Sequence, residues 1–79
     1  MKLQILGMGC PKCKKLYEHV EEAVNELGLE DVQLEKVEKL SEISAMGVMM
    51  TPALAIDGEV SVAGRVPSVE EIKGLIQDS

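Results

Sequence analysis

Hydrophobic and polar residues alternate in two short segments in the first half of the chain. Residues 2–6 alternate before Gly7, and residues 31–37 alternate again. A period of two residues is typical of β-strands, so each segment is predicted to form a strand. Between them, apolar residues recur at helical spacing from Leu16 to Leu27, with glutamates on the other side. The pattern therefore predicts a strand–helix–strand unit with parallel strands.

The boundaries of the helices are marked by proline and glycine. Pro11 suits the first turn of a helix, because that turn leaves its N–H groups unpaired, and Gly28 is a typical stop. Residues 39–46 are predicted to form a second, short helix that ends at Gly47, with Leu40 and Ile43 facing inward.

The second half of the chain contains a strong hairpin signal. Asp57-Gly58 separates the apolar segments 53–56 and 60–63, and both turn residues tolerate positive φ, so two antiparallel strands are expected. Ser68 and Glu71 then fit a capping box at the start of a last helix, in which each side chain would bond the other's backbone amide.

The predicted order β-α-β-α-β-β-α describes an α/β fold, with a four-stranded mixed sheet flanked by helices. With 79 residues, the chain is expected to form a single domain over residues 1–79. Its core must be aliphatic, since 46% of the residues are hydrophobic and Tyr17 is the one aromatic residue.

Charge is distributed unevenly along the chain. The net charge is -6, yet residues 1–16 hold four lysines and no carboxylate. An acidic chain repels phosphate backbones, and one aromatic residue provides no stacking platform, so nucleic acid is not an expected partner.

No segment approaches the ~20 apolar residues that cross a bilayer, so we expect a cytoplasmic protein with no membrane partner. In a reducing compartment, two close cysteines indicate catalysis or metal binding rather than a structural disulfide.

The candidate chemistry lies in Cys10-Pro11-Lys12-Cys13, which follows a predicted strand and opens a predicted helix. At this spacing the two sulfurs can approach bonding distance, with Cys10 exposed and Cys13 one turn inside. The helix dipole and the lysines at positions 12, 14 and 15 favour a thiolate, so we expect a lowered pKa for Cys10. The Cys10 thiolate would attack a substrate disulfide, and Cys13 would resolve the mixed disulfide.

Four spaced motifs carry a resemblance to a known family. They are residues 5–13, residues 47–54, Ile56-Asp57-Gly58 and residues 64–68. Together they resemble the small thioredoxin-fold redox-active disulfide proteins, which are glutaredoxin-like, single-domain proteins of archaea and bacteria. The resemblance covers residues 2–77, nearly the whole chain.

This resemblance implies a thioredoxin-like fold and a protein thiol–disulfide oxidoreductase that functions in electron transport without a cofactor. It implies that Thr51-Pro52 is a cis peptide bond facing the cysteines and that Thr51 pairs with an extended substrate. The expected substrate-binding residues are Pro11, Lys12, Met49, Thr51, Pro52 and Gly64. The expected partners are a disulfide-containing protein and an unidentified reductase, and the chain is expected to act as a monomer.

Two alternative functions use the same cysteines. Residues 7–13 also resemble the Gly-Met-x-Cys-x-x-Cys loop of copper chaperones, so Cys10 and Cys13 could bind a soft ion such as Cu(I). The chaperone fold ends on a strand, whereas this chain is predicted to end on a helix. A third hypothesis is an interaction module that the disulfide switches without substrate turnover.

Overall fold

The computed structural model describes residues 1–9 and 11–78. Within these residues the chain forms four strands and three helices in the predicted order, which confirms the α/β fold class. Along the chain they are β1 (Lys2–Leu6), α1 (Pro11–Leu27), β2 (Gln33–Val37), α2 (Leu40–Ala45), β3 (Ala53–Ile56), β4 (Glu59–Ala63) and α3 (Val69–Gln77).

The strands form one mixed sheet in the order β2-β1-β3-β4. β1 runs parallel to β2, as the strand–helix–strand unit predicts, and antiparallel to β3. β3 and β4 form the predicted antiparallel hairpin. The chain segment that precedes the cysteines therefore leaves the sheet from one of its two central strands.

The core lies on both faces of this sheet. Alternate residues of β3 point to opposite faces, so Leu54 packs with α1 and α3 while Ala53 packs with α2. All four residues of β3 are buried, which fits a central strand covered on both sides. Within the described part of the chain, no helix is both long and apolar enough to span a membrane.

The hairpin turn is held to the neighbouring strand. Asp57 and Gly58 have φ values of 51° and 85°, the positive values that a tight hairpin turn requires. The backbone N–H of Lys2 donates to Asp57 Oδ1, and the N–H of Asp57 donates to the carbonyl of Lys2, both at 2.8 Å. The aspartate therefore connects the turn to the start of β1.

The prediction that Leu40 faces inward is wrong, because its side chain is 63% exposed. Ile43 is 2% exposed, as predicted. α2 has only six residues, and Leu40 is the first of them. So short a helix turns one apolar side chain toward the sheet, and Leu40 lies outside that contact.

The predicted capping box is half correct. Ser68 Oγ accepts a hydrogen bond from the backbone N–H of Glu71 at 3.2 Å, which caps α3. The carboxylate of Glu71 accepts two hydrogen bonds from Arg65 instead of one from the backbone N–H of Ser68. Farther along α3, Lys73 Nζ lies 3.1 Å from Glu26 of α1, and its hydrogen bonds to Glu26 and Glu70 raise the pKa of Lys73.

We expect Ser68→Ala to lower the free energy of unfolding by about 1 kcal/mol, because it removes the acceptor for an N–H at the start of α3. Urea denaturation measures this change. Ser44→Ala, at an exposed serine inside α2, is the control and should cause no loss. Equal stability of the Ser68 variant and the unmodified protein would show that the cap contributes nothing.

Candidate functional site

The register of three strands brings distant residues to one edge of the sheet. Leu6 at the end of β1 pairs with Ala53 at the start of β3, and Ala53 pairs with Ala63 at the end of β4. The next residues at this edge are therefore Gly7, Pro52 and Gly64. The backbone N–H of Gly64 donates to the carbonyl of Pro52 at 2.9 Å. The segment before the cysteines thus lies beside the loop that contains Pro52.

Cys13 lies in the first turn of α1, where it is 6% exposed and disulfide-bonded. Its burial agrees with the expectation that this cysteine lies one turn inside the helix. Cys10, the other cysteine of the sequence, lies outside the described residues. Its expected exposure and lowered pKa therefore stay predictions.

The sulfur of Cys13 packs directly against the backbone of Gly7. A Cβ on Gly7 would come within 3.0 Å of Cys13 Sγ, closer than real Cβ atoms approach other atoms, and would lie 3.1 Å from Cys13 Cβ. The same position is 4.0 Å from the Cα of Pro52. Gly7 is not among the residues with positive φ, so it is the sulfur that demands a glycine here.

The peptide bond between Thr51 and Pro52 is cis. Pro52 is fully buried, whereas Thr51 is exposed. Among the described residues, none forms a hydrogen bond with the backbone N–H or carbonyl of Thr51. Backbone polar groups bind strongly to a partner or to water, so these two groups are available to an incoming chain.

Exposed methionines surround this edge. Met8, Met49 and Met50 are 66%, 95% and 66% exposed, whereas Met46 packs against the core. The side chain of Met50 lies against Gly64, where an added Cβ would be 3.3 Å from Met50 Cβ. Exposed apolar surface often marks an interaction site, and methionine adapts to varied partners. These three side chains can therefore contact a partner without rearranging the core.

A small cavity of about 70 Å³ lies beside Cys13. Its ionisable lining residues are Lys14, Tyr17, Lys36 and Glu38. Lys36 Nζ lies 4.6 Å from the centre of the Tyr17 ring, within the range of a cation–π contact. The cavity has room for a few water molecules, and its ionisable lining residues lie near the buried cysteine.

On the other side of α1 lies an open groove, which we call the basic groove. It has a volume of about 490 Å³ and is lined by Lys12, Lys15, His19, Gly64, Arg65, Val66 and Ser68. His19 is half-buried, and its Nδ1 donates to the carbonyl of Pro67 at 2.9 Å. The hydrogen bonds between Arg65 and Glu71 raise the pKa of Arg65 and lower the pKa of Glu71.

The structure therefore brings several predicted site residues together. Cys13 and Pro52 both lie beside Gly7, and the N–H of Gly64 donates to the carbonyl of Pro52. Pro11 and Lys12 are exposed at the start of α1, and Lys12 shares the basic groove with Gly64. Within the described residues, no group of three His, Cys, Asp or Glu side chains could hold a metal ion.

Comparison with known proteins identifies the family. The model of a family described as thioredoxin domain matches residues 1–77. This chain belongs to the thioredoxin family. It is 45% identical over 76 residues to a thioredoxin of Methanothermobacter thermautotrophicus, covering 96% of this chain and 97% of the relative. It is 48% identical over 71 residues to a thioredoxin of Methanocaldococcus jannaschii, covering 90% and 80%. The resemblance seen in the sequence is confirmed.

Some residues of the site could not be identified from the sequence motifs alone. Nothing in the segment 5–9 distinguishes Gly7 from Gly9, whose φ of 79° is that of an ordinary turn glycine. Only the thioredoxin fold, by packing α1 on β1, makes Gly7 the residue that contacts Cys13 Sγ. The ionisable residues 36 and 38 likewise reach the cavity because β2 ends beside β1.

We expect Gly7→Ala to displace Cys13 or to destabilise the fold, because the added methyl group overlaps the sulfur. The free energy of unfolding should fall by about 1–3 kcal/mol, the usual cost of overpacking. Gly74→Ala is the matched control, since a Cβ there meets no atom within 4 Å. That change should raise stability by up to about 1 kcal/mol, because alanine favours a helix interior. Similar denaturation midpoints for the two variants would contradict the contact with sulfur.

Proposed function

We propose that this chain is a protein thiol–disulfide oxidoreductase in which Cys10 is the nucleophile and Cys13 the resolving cysteine. Its relationship to thioredoxins supports the oxidoreductase function. The observation that carries the assignment of roles is the placement of Cys13. Its sulfur is buried against Gly7 and near Pro52, so a large substrate cannot reach it from solution.

We assign the first step to Cys10 because Cys13 lies within α1 and is buried. The Cys10 thiolate attacks one sulfur of the substrate disulfide, forming a mixed disulfide and releasing the other substrate sulfur as a thiolate. The start of α1 carries the positive end of the helix dipole. Lys12, Lys14 and Lys15 are exposed there, and no acidic residue lies in the first turn. This environment favours the thiolate form of Cys10.

The second step belongs to Cys13. Its thiolate attacks the sulfur of Cys10, which releases the second substrate thiol and leaves the protein with a Cys10–Cys13 disulfide. Two electrons have then passed from the protein to the substrate. The cavity lined by Lys36 and Glu38 gives Cys13 access to water, so its proton can leave without exposing the core. The reverse sequence oxidises a dithiol partner.

The substrate binds across the edge of the sheet. Thr51 offers a backbone N–H and carbonyl that have no partner among residues 1–9 and 11–78 to an extended backbone, and buried Pro52 holds that loop beside Gly7. Met49 supplies apolar contact, while Pro11 and Lys12 flank the cysteines. Gly64 holds the opposite side of the platform through its hydrogen bond to Pro52.

The remaining parts of the proposal concern partners and setting. Residues 1–79 act as a single domain and as a monomer, without a cofactor. The substrate is a disulfide-containing cytoplasmic protein, and a separate reductase returns the Cys10–Cys13 pair to the dithiol. Neither partner is a nucleic acid or a membrane.

We expect Cys10→Ser to abolish exchange with a disulfide peptide, because it removes the attacking thiolate. Cys13→Ser should instead accumulate a stable mixed disulfide between Cys10 and the peptide, because the resolving step is lost. Mass spectrometry after acid quenching distinguishes the two results, and the reduced unmodified protein is the control.

Equal trapping by both single variants would show that the roles are wrong. Failure of the unmodified protein to form an intramolecular disulfide at any glutathione ratio would reject the redox function. If the same preparation bound one Cu(I) through both thiolates, the soft-metal carrier would take its place.

A further inference from the structure

The basic groove lies directly beside the proposed substrate platform. Gly64 belongs to both, because it lines the groove and its N–H bonds the carbonyl of Pro52. Lys12 likewise lines the groove and lies between the two cysteines. A chain bound along Thr51 can therefore continue past Gly64 into the groove without leaving the surface.

Positive groups reach this groove from two separate parts of the fold. Lys12 and Lys15 come from α1, and Arg65 follows the end of β4. None of the described residues that line the groove carries a carboxylate. Glu71 lies outside the groove and accepts hydrogen bonds from two nitrogens of Arg65. Three of the five N–H donors of the guanidinium are not used by Glu71.

The two lysines of the groove have no ionic partner within the described residues, although the chain has 14 acidic residues. Glu18 follows Lys15 at a spacing that allows pairing on a helix, yet the two side chains form no salt bridge. By contrast, Lys2 pairs with Glu35 and Lys73 pairs with Glu26. The charges of the two lysines therefore remain available to another molecule, whereas Arg65 is paired with Glu71.

These lysines also disfavour the helix that carries them. The N-terminal turn of a helix prefers acids, and α3 follows that rule with Glu70 and Glu71. α1 has no acid in its first turn and carries lysines at positions 12, 14 and 15. Stabilisation of the Cys10 thiolate would explain the lysines near the cysteines. It would not explain Arg65, which reaches the same groove from the end of β4.

We propose that the basic groove binds an acidic segment of the protein whose disulfide is exchanged, an inference that rests on the proposed function. Carboxylates of this segment pair with Lys12, Lys15 and Arg65 while its cysteine lies at the platform. Outside residues 1–16 the chain has four basic and 14 acidic residues, so the groove is a local exception on an acidic surface. That overall charge favours a short acidic segment over a nucleic acid, whose extended backbone would meet repulsion.

The experiment compares three synthetic peptides that share one disulfide core and differ in flanking residues: three aspartates, three serines or three lysines. The rate constant for oxidation of the reduced protein by each peptide is measured at about 0.01 M and about 1 M ionic strength, where the screening lengths are about 30 Å and 3 Å. We expect the acidic peptide to react about tenfold faster than the serine peptide at low salt. The difference should vanish at high salt.

Matched variants separate the groove from a general effect on the cysteines. Lys15→Gln should reduce the preference for the acidic peptide about two- to threefold, the usual effect of one exposed ion pair. Lys14→Gln removes the same charge from the same helical turn, but Lys14 lines the cavity instead of the groove. It should leave the ratio of acidic to serine rates unchanged, whatever it does to both rates.

The outcomes distinguish this inference from the proposed function. Equal rates for all three peptides at low salt would overturn the acidic segment and leave the oxidoreductase intact. If no peptide reacted, binding to the groove would be tested separately, by measuring amide chemical shifts of the protein with an acidic peptide whose cysteines are reduced and alkylated. Shifts at residues 12, 15 and 64–66 would support the groove, and shifts confined elsewhere would overturn it. Single-stranded DNA that shifted the same amides at lower concentration would also overturn it.

Discussion

The site depends on the contact between the sulfur of Cys13 and the backbone of Gly7. There is no space between them for a Cβ, so the end of β1 and the first turn of α1 are in direct contact. β1 and α1 cannot separate easily, because Ile5 of β1 and Leu16 of α1 are buried in the same core cluster. The packing that stabilises the fold therefore also fixes the position of the buried cysteine.

Sheet topology supplies the other half of the site. Antiparallel pairing of β1 with β3 places the end of one strand beside the start of the other, so Pro52 lies near Gly7 although it is 45 positions later in the sequence. The β3–β4 hairpin then returns the chain to the same edge at Gly64. β2 ends at the same edge, because Val37 pairs with Leu6 and its carbonyl accepts a hydrogen bond from the N–H of Gly7, and this strand end brings Lys36 and Glu38 to the cavity.

Features determined by a few adjacent residues could be predicted from the sequence. The turn at Asp57-Gly58 and the cap at Ser68 are of this kind, since the local backbone dictates them. The exposure of Leu40 could not be predicted, because helical periodicity gives no orientation in a helix of six residues. Nor could the role of Gly7, because a glycine required by close packing has the same sequence signature as one required by a turn. The strand order likewise depends on pairing between distant segments.

The chemistry of the site suggests how substrates are distinguished. Its centre consists of a sulfur atom, a glycine, a buried proline and the backbone of Thr51, and none of these groups is a charged side chain. In the function proposed above, selection among substrates therefore comes from the surrounding side chains, which are exposed methionines near the platform and positive groups in the basic groove. An acidic partner meets repulsion from most of a chain with net charge -6 and attraction at the groove. Attraction at one place on a repulsive surface orients the partner as well as binding it, because other approaches are unfavourable.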